Sequence, residues 1–245
     1  MSTTLATYNV KGGVGKTSAA VNLARLAASG GAPTLLWDLD PQGASTYLFR
    51  VKPKVKGGGK ALVRGRSAVD ELIKGTDHEG LDLLPADFSY RHMDLALDGA
   101  KRPTARLARV LEPLQGEYEY TFLDCPPSVS LVSESVFEAA DVLLVPIIPA
   151  TLSSRTFDQI ERLLSEEGPR VMAFFSMVDG RKQLHREVME RLRDEQPGAV
   201  LETAIPMAAD VERMGARRLP ILDFAPRSPA TRAYGELWEE IRARL

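Results

Sequence analysis

A glycine-rich segment close to the start of the chain restricts its fold more than any other feature. Residues 11–18 read Lys-Gly-Gly-Val-Gly-Lys-Thr-Ser, and they stand between the apolar run 4–10 and the helical pattern 19–28. A glycine-rich turn that leaves a strand and opens a helix is typical of a phosphate-binding loop. The usual pattern, G-x-x-x-x-G-K-[ST], requires glycine at position 10, where this chain has Val10. The loop is therefore a variant, and Lys11 is its additional feature.

Each residue type in this loop suits contact with an anion. Glycine lets the backbone turn sharply and approach a phosphate with no Cβ in the way. The helix that begins near Lys16 adds the positive end of its dipole, the Lys16 ammonium can reach the β and γ phosphates, and the Thr17 hydroxyl can bind magnesium. The alternative is a structural turn without a ligand. We predict nucleotide contacts from Lys11, Gly12, Gly13, Val14, Gly15, Lys16, Thr17 and Ser18.

Composition limits the class of protein. Residues 1–245, with 44% hydrophobic and 26% charged residues, can bury the core of one large α/β domain. The net charge of -2 gives no general attraction to DNA, so DNA binding would need local clusters of cations. The single cysteine, Cys125, excludes an internal disulfide and fits a reducing compartment. Without an apolar run of roughly 18 residues or a signal-peptide pattern, we expect a cytoplasmic protein.

Short apolar runs alternate with helical patterns along the chain. The strand-like runs are residues 4–10, 34–37, 81–84, 120–123, 142–148, 171–177 and 200–205, and helical patterns include residues 154–166, 184–195 and 229–245. Several runs are apolar almost throughout, as strands covered on both faces must be. The sequence therefore predicts a doubly wound, mostly parallel sheet with helices on both faces, and ligands at the carboxyl ends of its strands.

Two carboxylates, Asp38 and Asp40, follow the second strand-like run. Because side chains alternate along a strand, residues two apart point to the same side. One carboxylate can hold magnesium through its water shell, and the other can orient the water that attacks the γ phosphate. The alternative is an ordinary Asp-Pro-Gln-Gly turn at residues 40–43.

A third carboxylate, Asp124, ends the strand-like run 120–123 and precedes two prolines. An acidic residue at a strand end is the expected partner of a phosphate loop, so we predict that Asp124 lies near magnesium. The alternative is a helix or turn cap. Cys125 is expected to be a small buried residue.

Three segments together resemble those of the ParA/MinD family of deviant Walker A ATPases, and most closely the Soj-type partition ATPases within it. They are the variant loop with Lys11, the Asp-Leu-Asp-Pro-Gln-Gly of residues 38–43, and the Leu-Asp-Cys-Pro-Pro-Ser of residues 123–128. The resemblance extends nearly from end to end, and it implies a P-loop fold that binds ATP and Mg²⁺.

The resemblance also implies a role for individual residues. The lysine matching Lys11 reaches across an ATP-bridged homodimer to the partner's phosphates, and the lysine matching Lys16 binds the β and γ phosphates. The aspartate matching Asp40 positions the attacking water. Lys11, Lys16 and Asp40 are thus the implied catalytic residues, while Thr17, Asp40 and Asp124 surround the metal. The implied adenine pocket involves Asp179, Pro206 and Met207.

In this family the ATP-bound dimer holds DNA through basic residues of its C-terminal half. Here the sequence departs from the pattern, since residues 208–210 are Ala-Ala-Asp where many relatives have a basic residue. The candidates that can replace it are Arg213, Arg217 and Arg218, or Arg181, Lys182 and Arg186. The alternative is an ordinary solvated helix face.

A second departure is the stretch 52–66, which has six cations, three consecutive glycines and no acidic residue. We expect a basic, flexible loop next to the nucleotide site that contacts DNA, an acidic partner or the bound phosphates. The alternative is a solvated surface insertion.

Three further functions remain open on the sequence. A protein assembly can take the place of DNA as cargo on the nucleoid, and a metabolic P-loop ligase shares the same loop but needs another substrate site. A MinD-like membrane ATPase would use the C-terminal helix 229–245. Glu236, Glu239 and Glu240 on its polar side suit an anionic bilayer poorly, so we expect this helix to pack on the sheet and membrane binding to be unlikely.

The sequence thus favours a dimerising ATPase that positions plasmid or chromosomal DNA. Its hydrolysis would be stimulated by a ParB-like or other cargo adaptor protein, and we expect it to be cytoplasmic and associated with the nucleoid.

Overall fold

The computed structural model describes residues 2–66, 68–164 and 168–245. Its strands are β1 (Thr3–Thr7), β2 (Thr34–Asp38), β3 (Lys74–Gly75), β4 (Leu81–Leu84), β5 (Tyr120–Asp124), β6 (Val142–Ile147), β7 (Arg170–Val178) and β8 (Val200–Pro206). Its helices are α1 (Lys16–Ser29), α2 (Ala44–Leu48), α3 (Gly58–Val63), α4 (Met93–Asp98), α5 (Arg106–Leu111), α6 (Leu131–Ala139), α7 (Ser153–Leu163), α8 (Gln183–Glu195), α9 (Ala209–Arg217), α10 (Ile221–Phe224) and α11 (Pro229–Arg242). Short 3-10 helices cover Asp70–Leu72, Phe88–His92 and Glu112–Leu114.

The strands form one sheet in the order β3-β4-β2-β5-β1-β6-β7-β8. All neighbours are parallel except β3, which pairs antiparallel with β4 at one edge. Strand β1 lies between β5 and β6, so the chain winds to one side of β1 and then to the other. A crevice opens at such a switch point, at the carboxyl ends of the strands. The predicted doubly wound, mostly parallel sheet is confirmed.

The register brings polar residues together at that edge. Thr7 at the end of β1 pairs with Asp124 at the end of β5, and Asp124 pairs in turn with Asp38 at the end of β2. Three strand ends therefore lie side by side directly below the loop that leaves β1.

Alternate strand residues supply two separate cores. On one face Leu5, Leu36 and Phe122 pack under α1 and α9–α11. On the other face Ala6 and Trp37 pack with side chains of α3–α8. Because both faces of the sheet are covered, strand residues such as these are fully buried, which explains the continuous apolar runs in the sequence.

The C-terminal helix α11 packs on the sheet as expected. Its apolar face, formed by Tyr234, Leu237, Trp238 and Ile241, is buried, and Trp238 lies edge-on to Tyr120 at 5.0 Å between ring centroids. On the same helix, the carboxylate of Glu240 accepts hydrogen bonds from the backbone amides of Glu202 and Thr203 in β8, each 2.9 Å long. Across the described ranges, every helix is too short or too polar to cross a bilayer.

Several predicted boundaries are wrong by a few residues. Strand β1 ends at Thr7 rather than at residue 10, because the chain turns away into the loop after Tyr8 donates to the Leu144 carbonyl. Helix α11 ends at Arg242 instead of residue 245. Helix α7 ends at Leu163, and residues 165–166 of the predicted helix lie outside the described residues.

The basic stretch 52–66 is not the flexible loop that its glycines suggested. Residues Gly58–Val63 form α3, and Val55, Leu62 and Val63 are buried in the core. A Cβ on Gly58 would lie 2.6 Å from the Ser89 hydroxyl oxygen, so glycine is required there by contact, and its φ of 67° also favours glycine. Gly58 and Gly59 therefore allow close packing, and the stretch is an ordered part of the fold.

Candidate nucleotide-binding site

The loop that leaves β1 is held at its start by a buried asparagine. Asn9 Oδ1 accepts a hydrogen bond from the Lys11 amide at 2.9 Å, and Asn9 Nδ2 donates to the Pro146 carbonyl at 2.9 Å. The side chain thus connects the loop to the end of β6. Sequence reasoning missed Asn9, because a lone polar residue at a strand end carries no periodic pattern.

The middle of the loop depends on glycine. Gly15 precedes α1 with a φ of 97°, and a Cβ there would lie 2.8 Å from Oγ of Ser176 on β7. No side chain caps the first turn of α1, and that turn contains no acidic residue. The amide groups at the start of α1 are therefore available to an anion, and the helix dipole favours negative charge at this position.

Lys16 is buried beneath this loop. Its side chain is largely buried, with the residue 7% exposed, and Nζ donates to the backbone carbonyl of Lys11 at 2.8 Å. Burial lowers the pKa of Lys16, while the nearby carboxylates of Asp124 and Asp40 oppose that shift. The side chain of Lys11, in contrast, belongs to an exposed residue at the rim. The two lysines of the loop thus have different environments.

Asp124 is fully buried beside Lys16 and Thr17. Its Oδ2 accepts a hydrogen bond from the Ser45 hydroxyl at 2.7 Å, whereas its Oδ1 has no hydrogen-bond partner within the described part of the chain. Burial raises the pKa of Asp124 to about 6, although the Ser45 and Thr17 hydroxyls and the Lys16 ammonium act in the opposite direction. A buried carboxylate oxygen without a partner requires an explanation, and a cation meets that need.

These residues fit a magnesium ion that is held together with phosphate and water. Thr17 and Asp124 offer oxygen ligands, which Mg²⁺ prefers. Among the described residues there is no group of three or more His, Cys, Asp or Glu side chains that could hold a metal ion by itself. This agrees with the usual behaviour of Mg²⁺, which keeps several waters and binds one or two protein groups plus substrate phosphates.

Asp38 and Asp40 have different roles in the structure. Asp38 is fully buried. Its Oδ2 accepts hydrogen bonds from the amide and the hydroxyl of Thr46. Its Oδ1 accepts a hydrogen bond from the Asp40 amide. Burial and the Asp124 charge raise the pKa of Asp38 to about 8. Since both of its oxygens are bound within the protein, Asp38 shapes the turn and leaves only Asp40 free to face a ligand.

Asp40 is partly exposed above Lys16 and Asp124. Its Oδ1 accepts the Gln42 amide at 2.9 Å, and its carbonyl accepts the Gly43 amide at 2.9 Å. The turn proposed as the alternative for residues 40–43 is therefore present, and it holds Asp40 at the strand-end edge.

A narrow cavity of about 60 Å³ lies next to the loop, at the predicted adenine position. Pro206 and Met207 line it together with Gly15 and Ser18. Met177, another lining residue, has a φ of 55° where the pairing of β7 with β8 is irregular. Strain and bulges of this kind are frequent next to ligand sites.

Asp179, the third residue predicted to contact adenine, lies just beyond β7 and pairs with Arg181. Two hydrogen bonds of 3.0 Å join the carboxylate to the guanidinium. The hydrogen bonds from Arg181 lower the pKa of Asp179 to about 2. Contact between Asp179 and adenine stays a prediction.

The basic candidates for DNA contact follow the carboxyl ends of β7 and β8, so both groups lie at the same edge of the sheet as the loop. Several are bound within the protein. Arg181 pairs with Asp179, Arg186 donates to the Gly180 carbonyl, Arg213 pairs with Asp210 at 3.4 Å, and Arg218 donates to the Tyr47 carbonyl. Lys182 and Arg217 are exposed.

A variant phosphate loop at the switch point of a doubly wound sheet defines a P-loop nucleotide-binding protein. A family model described as an AAA domain matches residues 2–166. The chain is 29% identical to the sporulation initiation inhibitor protein Soj of Bacillus subtilis, over 98% of each chain. It is 33% identical to the chromosome-partitioning ATPase Soj of Thermus thermophilus, over 98% of this chain and 96% of that protein. The chain belongs to the ParA/MinD family of deviant Walker A ATPases, among the Soj-type relatives, as its motifs predicted.

Solved structures agree with this assignment. Cobyrinic acid a,c-diamide synthase from Mycobacterium smegmatis, with bound ATP analogue and magnesium, gives a TM-score of 0.86 at 25% identity, covering 100% of this chain and 95% of that one. The cell division ATPase MinD of Pyrococcus furiosus gives a TM-score of 0.83 at 21% identity, covering 100% of both chains. The MinD structure shares the fold.

Proposed function

We propose that residues 1–245 form a single ATPase domain that binds ATP and Mg²⁺, dimerises around the nucleotide and in that state holds DNA without sequence specificity. The observation that carries the proposal is the fully buried carboxylate of Asp124 beside Thr17 and Lys16 under an uncapped helix, with an Oδ1 that has no partner within the described part of the chain. Relatives bind an ATP analogue and magnesium with the same fold.

Individual residues take separate parts in this function. Lys16 exchanges the Lys11 carbonyl for the β and γ phosphates, and Thr17 and Asp124 hold Mg²⁺, which supplies charge neutralisation at the phosphates. Asp40 orients the attacking water. The exposed side chain of Lys11 reaches the phosphates of a second copy, since a mobile ammonium at the rim is free to do so.

Positioning of cargo follows from the nucleotide-dependent dimer. Clustered cations on two copies double the contact with the DNA backbone, so dimerisation strengthens DNA binding. A cargo-bound partner that stimulates hydrolysis then releases the dimer. The relatives named as chromosome-partitioning proteins favour DNA as the cargo, and we place the protein in the cytoplasm on the nucleoid. The burial of the apolar face of α11 favours this function over membrane attachment.

An Asp40→Ala variant tests the proposal. Without the carboxylate that orients water, we expect phosphate release to fall about 100-fold or more, while ATP-dependent dimers persist longer than in the wild type. Light scattering measures the dimer, and anisotropy of a labelled duplex measures DNA binding. Asp70→Ala, which removes an exposed carboxylate elsewhere, should behave as the wild type. Monomers alone at saturating ATP in Asp40→Ala would refute the proposal.

A further inference from the structure

We propose that Asn22, a buried side chain in the middle of α1, positions the helix that forms one wall of the cavity beside the phosphate loop and thereby sets the affinity for the nucleotide base. This cavity of about 60 Å³ is called the base cavity. The inference rests on the proposed function, because it takes the base cavity as the place where the base of ATP binds. Since Asn22 is 1% exposed and acts through α9, it is a positioning residue.

The base cavity adjoins the phosphate-binding part of the site. Gly15 and Ser18 line the cavity, and they belong to the loop and to the first turn of α1, where the amides are available to phosphate. A nucleotide that places its phosphates at these amides can therefore place its base in the cavity. Val211 and Glu212 of α9 form another wall, and Tyr234 of α11 also lines the cavity. A base bound in the cavity thus contacts α9.

The amide of Asn22 is buried and has hydrogen-bond partners on several elements. Its Oδ1 accepts a hydrogen bond from the Ile221 amide at 2.9 Å. Its Nδ2 donates to the Ser18 carbonyl at 2.8 Å and to the sulfur of Met214 at 3.3 Å. Burial of a side-chain amide is unfavourable unless such partners are present. The burial of Asn22 therefore depends on α9 and α10 being in place.

These contacts fix the connection between α9 and α10 on both sides. Met214 lies in α9 and Ile221 begins α10, so one side chain of α1 binds the chain before and after residues 218–220. Both residues are buried, with exposures of 2% and 1%. Val211, which lines the base cavity, lies three residues before Met214 and hence one helical turn away on the same face. The position of this wall is thus set by the contact with Asn22.

Asn22 also interacts directly with a residue that lines the base cavity. Tyr234 of α11 is 2% exposed. Burial raises the pKa of Tyr234, and a side-chain hydrogen bond with Asn22 acts in the opposite direction. The side chain of Asn22 therefore connects α1, α9, α10 and α11 directly behind the cavity.

The contact with Ser18 does not make Asn22 part of the phosphate site. Ser18 lies in α1, which is helical from Lys16 to Ser29, so backbone hydrogen bonds hold it in place without the side chain of Asn22. Met214, in contrast, is 192 positions away from Asn22 along the chain, and α9 depends on side-chain contacts for its position on α1. Loss of the Asn22 amide should therefore disturb the base cavity and leave the phosphate loop intact.

An apolar side chain of similar size cannot replace this asparagine. Leucine at position 22 would leave the Ile221 amide buried without its partner, and an unpaired buried donor carries its full desolvation cost. The connection between α9 and α10 should then move until the amide reaches water or another acceptor. That movement displaces the wall that contains Val211 and Glu212.

An Asn22→Leu variant of the full chain tests the inference. Calorimetry in the presence of Mg²⁺ compares ATP with inorganic tripolyphosphate, which offers phosphates without a base. We expect the variant to bind ATP about tenfold more weakly and tripolyphosphate as tightly as the wild type. In steady-state phosphate release, KM for ATP should rise about tenfold while kcat changes by less than about twofold.

Two further variants separate positioning from folding. Met214→Leu keeps the apolar volume and removes the sulfur acceptor, so it should show the same selective loss of ATP affinity to a smaller extent, about twofold. It also provides the test if Asn22→Leu does not fold. Ser135→Ala is the matched control, because it removes a buried hydrogen bond to the Pro103 carbonyl in the core on the other face of the sheet. It should lower stability and leave both affinities unchanged.

The outcomes distinguish this inference from the proposed function. Wild-type ATP affinity in both Asn22→Leu and Met214→Leu overturns the inference, as does an equal loss of ATP and tripolyphosphate affinity, which would assign the effect to the phosphate loop. An equal loss of ATP affinity in Ser135→Ala would show that reduced stability alone is responsible, and it also overturns the inference. A wild-type protein that binds neither ATP nor tripolyphosphate refutes the proposed function itself, and the inference with it.

Discussion

The guanidinium of Arg218 lies over the ring of Tyr47, 4.3 Å from its centroid, and its Nε donates to the Tyr47 carbonyl at 3.0 Å. Arg218 directly follows α9 and has a φ of 53°, and Tyr47 belongs to α2, which directly follows the turn that holds Asp40. The helix with the basic candidates Arg213 and Arg217 is thus attached to the segment that follows Asp40. Arg218 is occupied by this contact, whereas Arg217 is exposed.

Arg217→Ala and Arg218→Ala should therefore affect DNA binding in different ways. Loss of a phosphate contact at Arg217 should reduce the magnitude of the negative slope of log affinity against log salt concentration by about 1. Arg218→Ala should weaken ATP-dependent binding without changing that slope, because the side chain positions α9 on α2. Anisotropy of a labelled duplex over a range of salt concentrations measures both values.

Substitutions at Tyr47 provide the matched control for that experiment. Tyr47→Ala removes the ring and should resemble Arg218→Ala, while Tyr47→Phe keeps both the ring and the carbonyl and should resemble the wild type. If Arg218→Ala lowers the salt slope as much as Arg217→Ala does, Arg218 contacts phosphate directly.

Lys11→Ala and Lys16→Ala should separate nucleotide binding from dimerisation. Lys16 is buried and donates to the backbone of Lys11, a contact that survives removal of the Lys11 side chain. Lys16→Ala should weaken nucleotide binding about tenfold or more, because it removes a charged hydrogen-bond donor. Lys11→Ala should keep nucleotide affinity close to that of the wild type and lose the ATP-dependent dimer. Calorimetry and light scattering measure the two effects, and an intact dimer in Lys11→Ala contradicts the role in trans.

Gly15→Ala should abolish nucleotide binding for two reasons. The φ of 97° costs an alanine about 1–3 kcal/mol, and its Cβ would also contact Oγ of Ser176 at 2.8 Å. Adding Ser176→Ala relieves the contact and leaves the backbone strain, so the double variant should remain defective. Gly235→Ala is the control, since Gly235 lies outside the loop and its Cβ would meet nothing within 4 Å. Recovery of binding in the double variant would show that the contact alone matters.

Asp87 should stabilise, in a pH-dependent manner, the contact between the segment that leads into α3 and the Phe88–His92 3-10 helix. Burial opposes its ionisation, but hydrogen bonds from Ser89 and Val55 outweigh burial and hold the pKa of Asp87 below its ordinary value of 3.8. The folded state thus binds this proton more weakly than the unfolded chain, so the stabilisation is complete above that value and is lost as pH falls through the folded pKa. Asp87→Ala should cost about 1 kcal/mol of unfolding free energy at neutral pH.

Urea unfolding of the wild type and of Asp87→Ala over a series of pH values checks this prediction. The difference between the two should be largest at neutral pH and should shrink below pH 3.8. A difference that stays constant down to low pH would show that the carboxylate charge is not responsible.

The central part of the fold could be predicted from sequence because its determinants are local. Apolar runs such as Val142–Ile147 are continuous where both sheet faces are covered, and the loop motif fixes the junction of β1 with α1. Strand β3 was missed, since Lys74 and Gly75 are exposed and show no strand pattern.

The remaining features depend on partners that are distant in sequence. The glycines of residues 57–59 indicated flexibility, yet Gly58 and Gly59 pack against Ser89 and Tyr90, which lie about thirty positions away. In the site, Asp38 and Asp40 differ because the amide and the hydroxyl of Thr46 both donate hydrogen bonds to Asp38. A period-two pattern placed both carboxylates together but could not tell which one is buried.

The side chain of Glu240 has a further consequence for how copies of this protein meet. By accepting two backbone amides of β8, it occupies donors on an edge strand that a strand of another molecule would otherwise use. At the opposite end, β3 is only two residues long and leaves little backbone for pairing. Both margins of the sheet thus resist growth by strand addition, so high local concentrations of the protein need not lead to fibres.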